Sequence, residues 1–250
     1  MIIAGAAAVK RSYYDEFAQF LADNGLAAVT FDYRGIGDSA VSPKAAKHLR
    51  MSDWGTLDLD AVIQWTVENY SLSVHFLGHS VGAQMLPLTP SNRHIRTAVL
   101  VGAASGGLRN VHPRTKRSAA VFAYVLGPLL SRLFDPFPAK RLRMGEDTPA
   151  GAVRQLAAWT RSQEWLFGQI GKDLPDHRAS LAAHTVLLVF SDEDVVTPEG
   201  SRQFAQDARL RTFTIEIVDV AHLGFAVGHL GMFRSRCRDA IWPGLLARFL

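Results

Sequence analysis

The chain has very little cysteine: Cys237 is the only one in 250 residues. No intramolecular disulfide can form, and no Cys-x-x-Cys metal or redox pair exists. Cys237 lies in "RSRCRD", where nearby arginines would lower a thiol pKa. No partner motif surrounds it, and it reads as a bystander. Long apolar runs are also missing. The longest, Ala119–Leu130, is too short to span a bilayer and contains Gly127 and Pro128. In "MIIAGAAAV" the charges Lys10 and Arg11 follow the apolar run instead of preceding it, the wrong order for a signal peptide. A soluble cytoplasmic protein without a transmembrane segment is the expectation. No pair of histidines or carboxylates has metal spacing on a helix, so no metal is expected. The formal charge is +4, with basic clusters at Arg114–Arg117, Lys140–Arg143 and Arg234–Arg238. These lack the interleaved aromatics of a nucleic-acid surface and read as solvated, so no nucleic-acid partner is expected.

About half of the residues are apolar, enough for a sizeable core. Apolar strands are predicted at Met1–Ala4, Leu26–Phe31, Ser73–Leu77, Ile95–Gly102, Thr185–Phe190 and Phe213–Val218. Helical spacing separates them at Tyr13–Asn24, at Trp54–Glu68 (with Leu57, Ala61 and Trp65 on one face), after Ser80, and at Pro198–Asp207. Alternation of helices with continuous apolar strands predicts an α/β fold whose parallel sheet is covered on both faces. The expected organisation is a single domain over residues 1–250. Residues 108–179 break the pattern. They offer an apolar helix at Ala119–Leu133, a proline-rich turn "DPFPAKRLRMGEDTP" and an amphipathic helix near Gly151–Trp165, but no convincing strand. This reads as a helical insertion that caps one end of the sheet.

The most informative stretch is "VHFLGHSVGAQM", Val74–Met85. Gly78-His79-Ser80-Val81-Gly82 fits Gly-x-Ser-x-Gly between a strand and a helix. So sharp a turn strains the backbone of its serine and needs small residues two before and two after it. Ser80 would then stand above the carboxyl edge of the sheet. The Val81 amide, at a helix N-terminus, could donate to a developing oxyanion.

A nucleophilic serine needs a base, and the base needs an orienting carboxylate. "VLLVFSDEDVVTP" offers Asp192, Glu193 and Asp194 just past a strand end. Asp194 is the expected partner, because it enters the loop and precedes an apolar pair. Its two neighbours read as a solvated acidic turn. Two histidines follow the last strand. His222 in "VDVAHLGF" is favoured by distance from the strand, and His229 in "AVGHLGMFR" by the tight glycine loop around it. On these grounds the two stand even. His79 is expected to point away from the site, and His75 reads as a strand residue.

"FLADNGLAAVTFDYRGIGDS" and "FLGHSVGAQ" together resemble the α/β-hydrolase superfamily. "DW" at Asp53-Trp54, "RLRMGEDTPAG" at Arg141–Gly151 and "GHLGMFR" followed by "IWPGLLARFL" resemble a bacterial branch of predicted α/β hydrolases. The similarity covers nearly the whole chain. In that branch the histidine sits in a Gly-His-x-Gly-Phe-Phe-Arg-like motif, which Gly228–Arg234 matches with Met232 in place of the first phenylalanine. The resemblance thus favours His229 as the base. Where the superfamily usually has His-Gly after its third strand, this chain has Gly5-Ala6, and the Ala7 amide becomes the second candidate oxyanion donor. The two N-terminal antiparallel strands of such relatives are missing, so a sheet of about six strands or a start further upstream is expected.

The resemblance implies a cofactor-independent serine hydrolase with Ser80, His229 and Asp194 in its triad. Its substrate would be a small-molecule carboxylic ester or thioester with an apolar acyl group. Acyl transfer is a close variant, and a catalytically idle fold used for binding is the alternative. A dehydrogenase reading of "YRGIGDS" fails for want of the full Gly-x-Gly-x-x-Gly spacing.

Overall fold

The computed structural model describes residues 1–46 and 48–249. Six strands, β1 (Ile2–Ala4), β2 (Val29–Thr30), β3 (Val74–His79), β4 (Ile95–Val101), β5 (His184–Phe190) and β6 (Phe213–Val218), form one sheet in the order β2-β1-β3-β4-β5-β6. Every pairing is parallel. Alternate residues of a strand face opposite sides, and the two sides bury separate cores. Ile2, Phe76, Leu100 and Leu187 pack on one side with Trp54, Ile63 and Phe204. Ile3, Leu77, Val99 and Leu188 pack on the other with Phe17, Phe233 and Trp242. Burial on both sides is why these strands read as unbroken apolar runs.

The strand order locates the site. From β1 the chain moves outward to β2, then crosses back to β3 and continues in the opposite direction to β6. The order therefore reverses between β1 and β3, and the crevice beyond the carboxyl ends of strands at such a reversal is where open α/β sheets bind ligands. Ser80 directly follows β3, and Ala7 follows β1.

The helices are α1 (Asp15–Asp23), α2 (Pro43–Ala46), α3 (Asp60–Asn69), α4 (Val81–Met85), α5 (Lys116–Val121), α6 (Gly127–Leu133), α7 (Ala150–Arg161), α8 (Pro198–Asp207) and α9 (Trp242–Leu246). A wide π turn at Trp54–Leu59 leads into α3. The face that packs there is Trp54, Leu59, Ile63 and Thr66, not the expected Leu57, Ala61 and Trp65. Leu57 and Trp65 are both 47% exposed. Two contacts set the rotation. Trp54 stacks on Tyr33 with centroids 4.8 Å apart, and Gly55 lies so close to the Met85 carbonyl that a Cβ would come within 2.9 Å of it.

Residues 108–179 contain no strand. A second π turn, Phe122–Leu126, joins α5 to α6, making one continuous helical segment over Lys116–Leu133. It packs on α7 where Gly127 approaches the Ala157 side chain.

Candidate active site

At the end of β3 the backbone turns through Ser80, whose φ of 53° and ψ of −117° lie where L-residues are strained. Two glycines permit the turn. A Cβ on Gly78 would stand 2.6 Å from the Ala83 Cα, and one on Gly82 would stand 2.2 Å from the Ala4 carbonyl oxygen. Neither obstacle can move, since both are backbone. The spacing of Gly-x-Ser-x-Gly is thus a packing requirement of α4 against β1 and β3.

His229 meets this serine. Its Nε2 lies 2.9 Å from Ser80 Oγ. Its Nδ1 lies 3.1 and 3.0 Å from the two carboxylate oxygens of Glu193. A carboxylate only accepts, so Nδ1–H donates to Glu193, and Nε2 is left to accept from the serine hydroxyl. Burial pushes the Glu193 carboxyl up. The His229 hydrogen bond and charge, with the Val195 and Val196 amides, outweigh this and hold it below the usual glutamate value.

Asp194, the carboxylate expected here, does not reach the histidine. Its amide donates to Glu193 Oε1 at 3.0 Å, and its carbonyl accepts from Thr115 Oγ1 at 2.6 Å. The tight turn made by the Glu193 amide on the Phe190 carbonyl decides this. It folds the Glu193 side chain inward over the end of the sheet and leads Asp194 toward the 108–179 segment. Asp192 is also engaged rather than solvated. Its two oxygens accept from the amides of Val227 at 2.7 Å and Gly228 at 3.0 Å, anchoring the loop that carries His229. His222 lies on an exposed turn that follows β6.

Four other residues, Gly102, His79, Tyr14 and Phe233, also shape the site, and Gly102 and Tyr14 carry no obvious sequence signal. Gly102, at φ +59° after β4, gives the His229 ring its room: a Cβ there would come within 2.8 Å of Cε1. His79 is fully buried. Its Nε2 is 2.8 Å from the His229 carbonyl oxygen and its Nδ1 is 2.9 Å from Tyr14 Oη. Tyr14 Oη also receives the Ala6 amide at 2.8 Å. Each direction follows from the next. The carbonyl can only accept, so His79 carries its proton on Nε2, Nδ1 accepts from Tyr14, and Tyr14 accepts from Ala6. Desolvation, then the neighbouring His229, depress the His79 pKa to about 3, so the ring stays neutral. The chain ties the end of β1, the serine turn and the histidine loop together. Phe233, from the "GHLGMFR" stretch, packs edge-on to Tyr14 and tilted against His79, with centroids 4.7 and 5.0 Å away.

A cavity of about 400 Å³ opens beside Ser80, lined by Ala7, Val81, Gln84, Phe122, Leu156 and Trp165 among others. Both expected amide donors, Ala7 and Val81, therefore border it. No charged side chain lines it among the described residues. An apolar recess of about 210 Å³ between Phe122, Phe137, Met144 and Val153 adjoins it. A larger cleft of about 560 Å³ lies elsewhere, between His48–Arg50 and α7, and does not include Ser80. Cys237 is buried, and burial raises its pKa despite Arg236. Among the described residues, no helix is long and apolar enough to cross a membrane. No group of three or more His, Cys, Asp or Glu side chains among them is placed to hold a metal ion.

The chain resembles solved structures along almost its whole length. A soluble variant of monoglyceride lipase from Saccharomyces cerevisiae superposes with a TM-score of 0.64 at 13% identity, covering 98% of this chain and 84% of the lipase. A thermophilic esterase from Thermogutta terrifontis gives 0.62 at 16% identity, with 100% and 89% covered. An esterase from Exiguobacterium antarcticum gives 0.58 at 17%, with 98% and 90% covered. At such identities the likeness is one of fold. A comparison with curated protein sequences finds no match. Residues 2–222 match the sequence family described as serine aminopeptidase, S33 (Hydrolase_4), a match that takes in Ser80 and Glu193 and stops short of His229. The chain belongs to this S33 serine aminopeptidase family within the α/β-hydrolase superfamily.

Proposed function

We propose that the chain is a cofactor-independent serine hydrolase of neutral carboxylic esters or thioesters, working through Ser80, His229 and Glu193. The observation that carries this is the alignment of the three groups at hydrogen-bonding distance beside an uncharged cavity. Ser80 Oγ attacks the acyl carbon while its proton passes to His229 Nε2. Glu193 stabilises the imidazolium that results, and the carbonyl oxygen, now an anion, takes the amides of Val81 and Ala7. His229 then gives its proton to the departing alkoxide or thiolate. The acyl-enzyme is cleaved by water, which His229 deprotonates in turn, and the proton returns to Ser80 as the acid leaves.

The lining of the cavity favours an ester over an aminopeptidase substrate. A peptide with a free N-terminus carries an ammonium that must be paired when desolvated, and no lining carboxylate offers to pair it. An apolar acyl group fits the main cavity and can extend into the recess behind Phe122. Esterases and a monoglyceride lipase stand among the structural neighbours, which agrees with this choice. An idle binding fold would have no need to hold a histidine between a strained serine and a buried carboxylate.

The test is labelling by a fluorophosphonate together with turnover of p-nitrophenyl esters of graded acyl length. Ser80→Ala should abolish both while leaving the circular dichroism spectrum unchanged, with kcat lower by roughly 10⁴–10⁶. Wild-type turnover in Ser80→Ala would refute the mechanism.

A further inference from the structure

The outer face of the 108–179 segment carries a feature that ester hydrolysis does not use. On the continuous helical segment Lys116–Leu133, Val121, Val125, Leu129 and Leu133 are 50%, 51%, 51% and 65% exposed. Tyr124 and Phe134 are exposed beside them. Side chains four apart drift around a regular helix by about 40° per step. The π turn at Phe122–Leu126 takes up part of this drift, so that the row stays on one face. The opposite face is committed inward. Ala123 and Gly127 are buried, and Phe122 lies against Phe137 and lines the cavity beside Ser80. Soluble monomers seldom leave so many large apolar side chains together in water.

Basic side chains flank the row along the sequence. Residues 114–143 hold seven basic side chains (Arg114, Lys116, Arg117, Arg132, Lys140, Arg141, Arg143) and one acidic side chain, Asp135, a net of +6 in a chain whose total is +4. All seven basic residues are exposed. Among the described residues, only Lys140 of the seven has a carboxylate within salt-bridge distance, that of Glu146. Asp135 is turned toward the Ala150 amide, which it accepts at 3.1 Å. An exposed apolar row flanked by cations, six of the seven without a carboxylate partner among the described residues, matches the two demands of an anionic bilayer surface: apolar groups for the acyl boundary and cations for the phosphates.

We propose that this face docks on an anionic lipid bilayer surface, with Val121, Val125, Leu129 and Leu133 seated at headgroup level and the basic side chains against lipid phosphates. A second copy of the chain is the poorer occupant, because it would bring the same positive field against itself. Docking on this face leaves the helix that roofs the Ser80 cavity between the membrane and the site.

Co-sedimentation of the full chain with phosphatidylcholine vesicles, with and without phosphatidylglycerol, tests the proposal. Binding to the anionic vesicles is expected, with little to the neutral ones and a decline as salt is raised. Leu129→Asp combined with Leu133→Asp should lower the partition coefficient by about tenfold or more. Lys116→Glu or Arg117→Glu should lower it by about fivefold or more. Neither change should shift the melting temperature by much, since these side chains face water. Binding that shows no anionic preference, or that survives the double aspartate variant, overturns the proposal. So does concentration-dependent dimerisation, seen by sedimentation velocity, that the double variant abolishes in the absence of lipid. Vesicle binding is read without turnover, so its failure is separate from a failure of Ser80 to react.

Discussion

Both carboxylate oxygens of Glu193 stand within 3.1 Å of His229 Nδ1, while the adjacent Asp194 gives its carbonyl to Thr115. Neighbours in sequence are thus divided between the ring and the segment above it. Glu193→Gln keeps the volume but can present its amide NH₂ to Nδ1, favouring the wrong tautomer. It should lower kcat by about 10²–10⁴. Asp194→Asn should remain close to wild type. Steady-state kinetics of the two variants on one ester decides the assignment, and the reverse order of effects would return the role to Asp194.

Gly102 gives the His229 ring its room. Gly102→Ala places a methyl group 2.8 Å from Cε1 and forces a non-glycine residue to φ +59°. The ring must shift, and misplacing a catalytic group by an ångström can cost about 10² in rate. A loss of that order in kcat, with KM nearly unchanged, is expected. Wild-type kcat would mean that the ring does not need this position.

Tyr14 Oη joins the Ala6 amide to His79 Nδ1. Tyr14→Phe removes one hydroxyl and leaves a buried donor and a buried acceptor without partners. The expected loss of stability is about 1–3 kcal/mol, measured by urea unfolding. The same variant should lower kcat, because Ala6 precedes the candidate oxyanion donor Ala7 and His79 holds the His229 carbonyl.

The neutral state of His79 has a consequence for acid stability. Its pKa is about 3 in the fold against 6.5 ordinarily. Between these values the unfolded chain binds a proton that the native chain does not. This contribution is complete above the ordinary value and is lost as pH falls toward the folded value, at about 1 kcal/mol per pH unit. Unfolding free energies measured from neutral pH downward should show the slope, and His79→Gln should flatten it. An unchanged slope in that variant would remove His79 from the account.

Phe122 stands between the Ser80 cavity and the recess lined by Phe137 and Val153. Phe122→Ala should join the two spaces and move the preferred p-nitrophenyl ester toward longer acyl chains. A uniform fall in rate across chain lengths, together with a lower melting temperature, would show that Phe122 serves packing alone.

The sequence by itself determined the strand–turn–helix around Ser80. A sharp turn with backbone on both sides admits only hydrogen at Gly78 and Gly82, and that steric demand is local. It also determined the covered parallel sheet, because strands buried on both faces must be continuously apolar, and the strand-free stretch between β4 and β5. Tertiary structure decided what depends on how distant segments meet. The face of the Trp54–Asn69 helical segment was set by Tyr33 and Met85, residues that no periodicity contains. Choosing among Asp192, Glu193 and Asp194 required the direction of one tight turn, since all three are carboxylates at consecutive positions. Between His229 and His222 the residues by themselves stood even and only the motif resemblance favoured His229; its position depends on where the loop after β6 comes back across the sheet, held there by Asp192 and by His79. Local sterics act between neighbours in the chain and can be read from it, whereas these pairings span tens of residues and exist only once the sheet has brought them together.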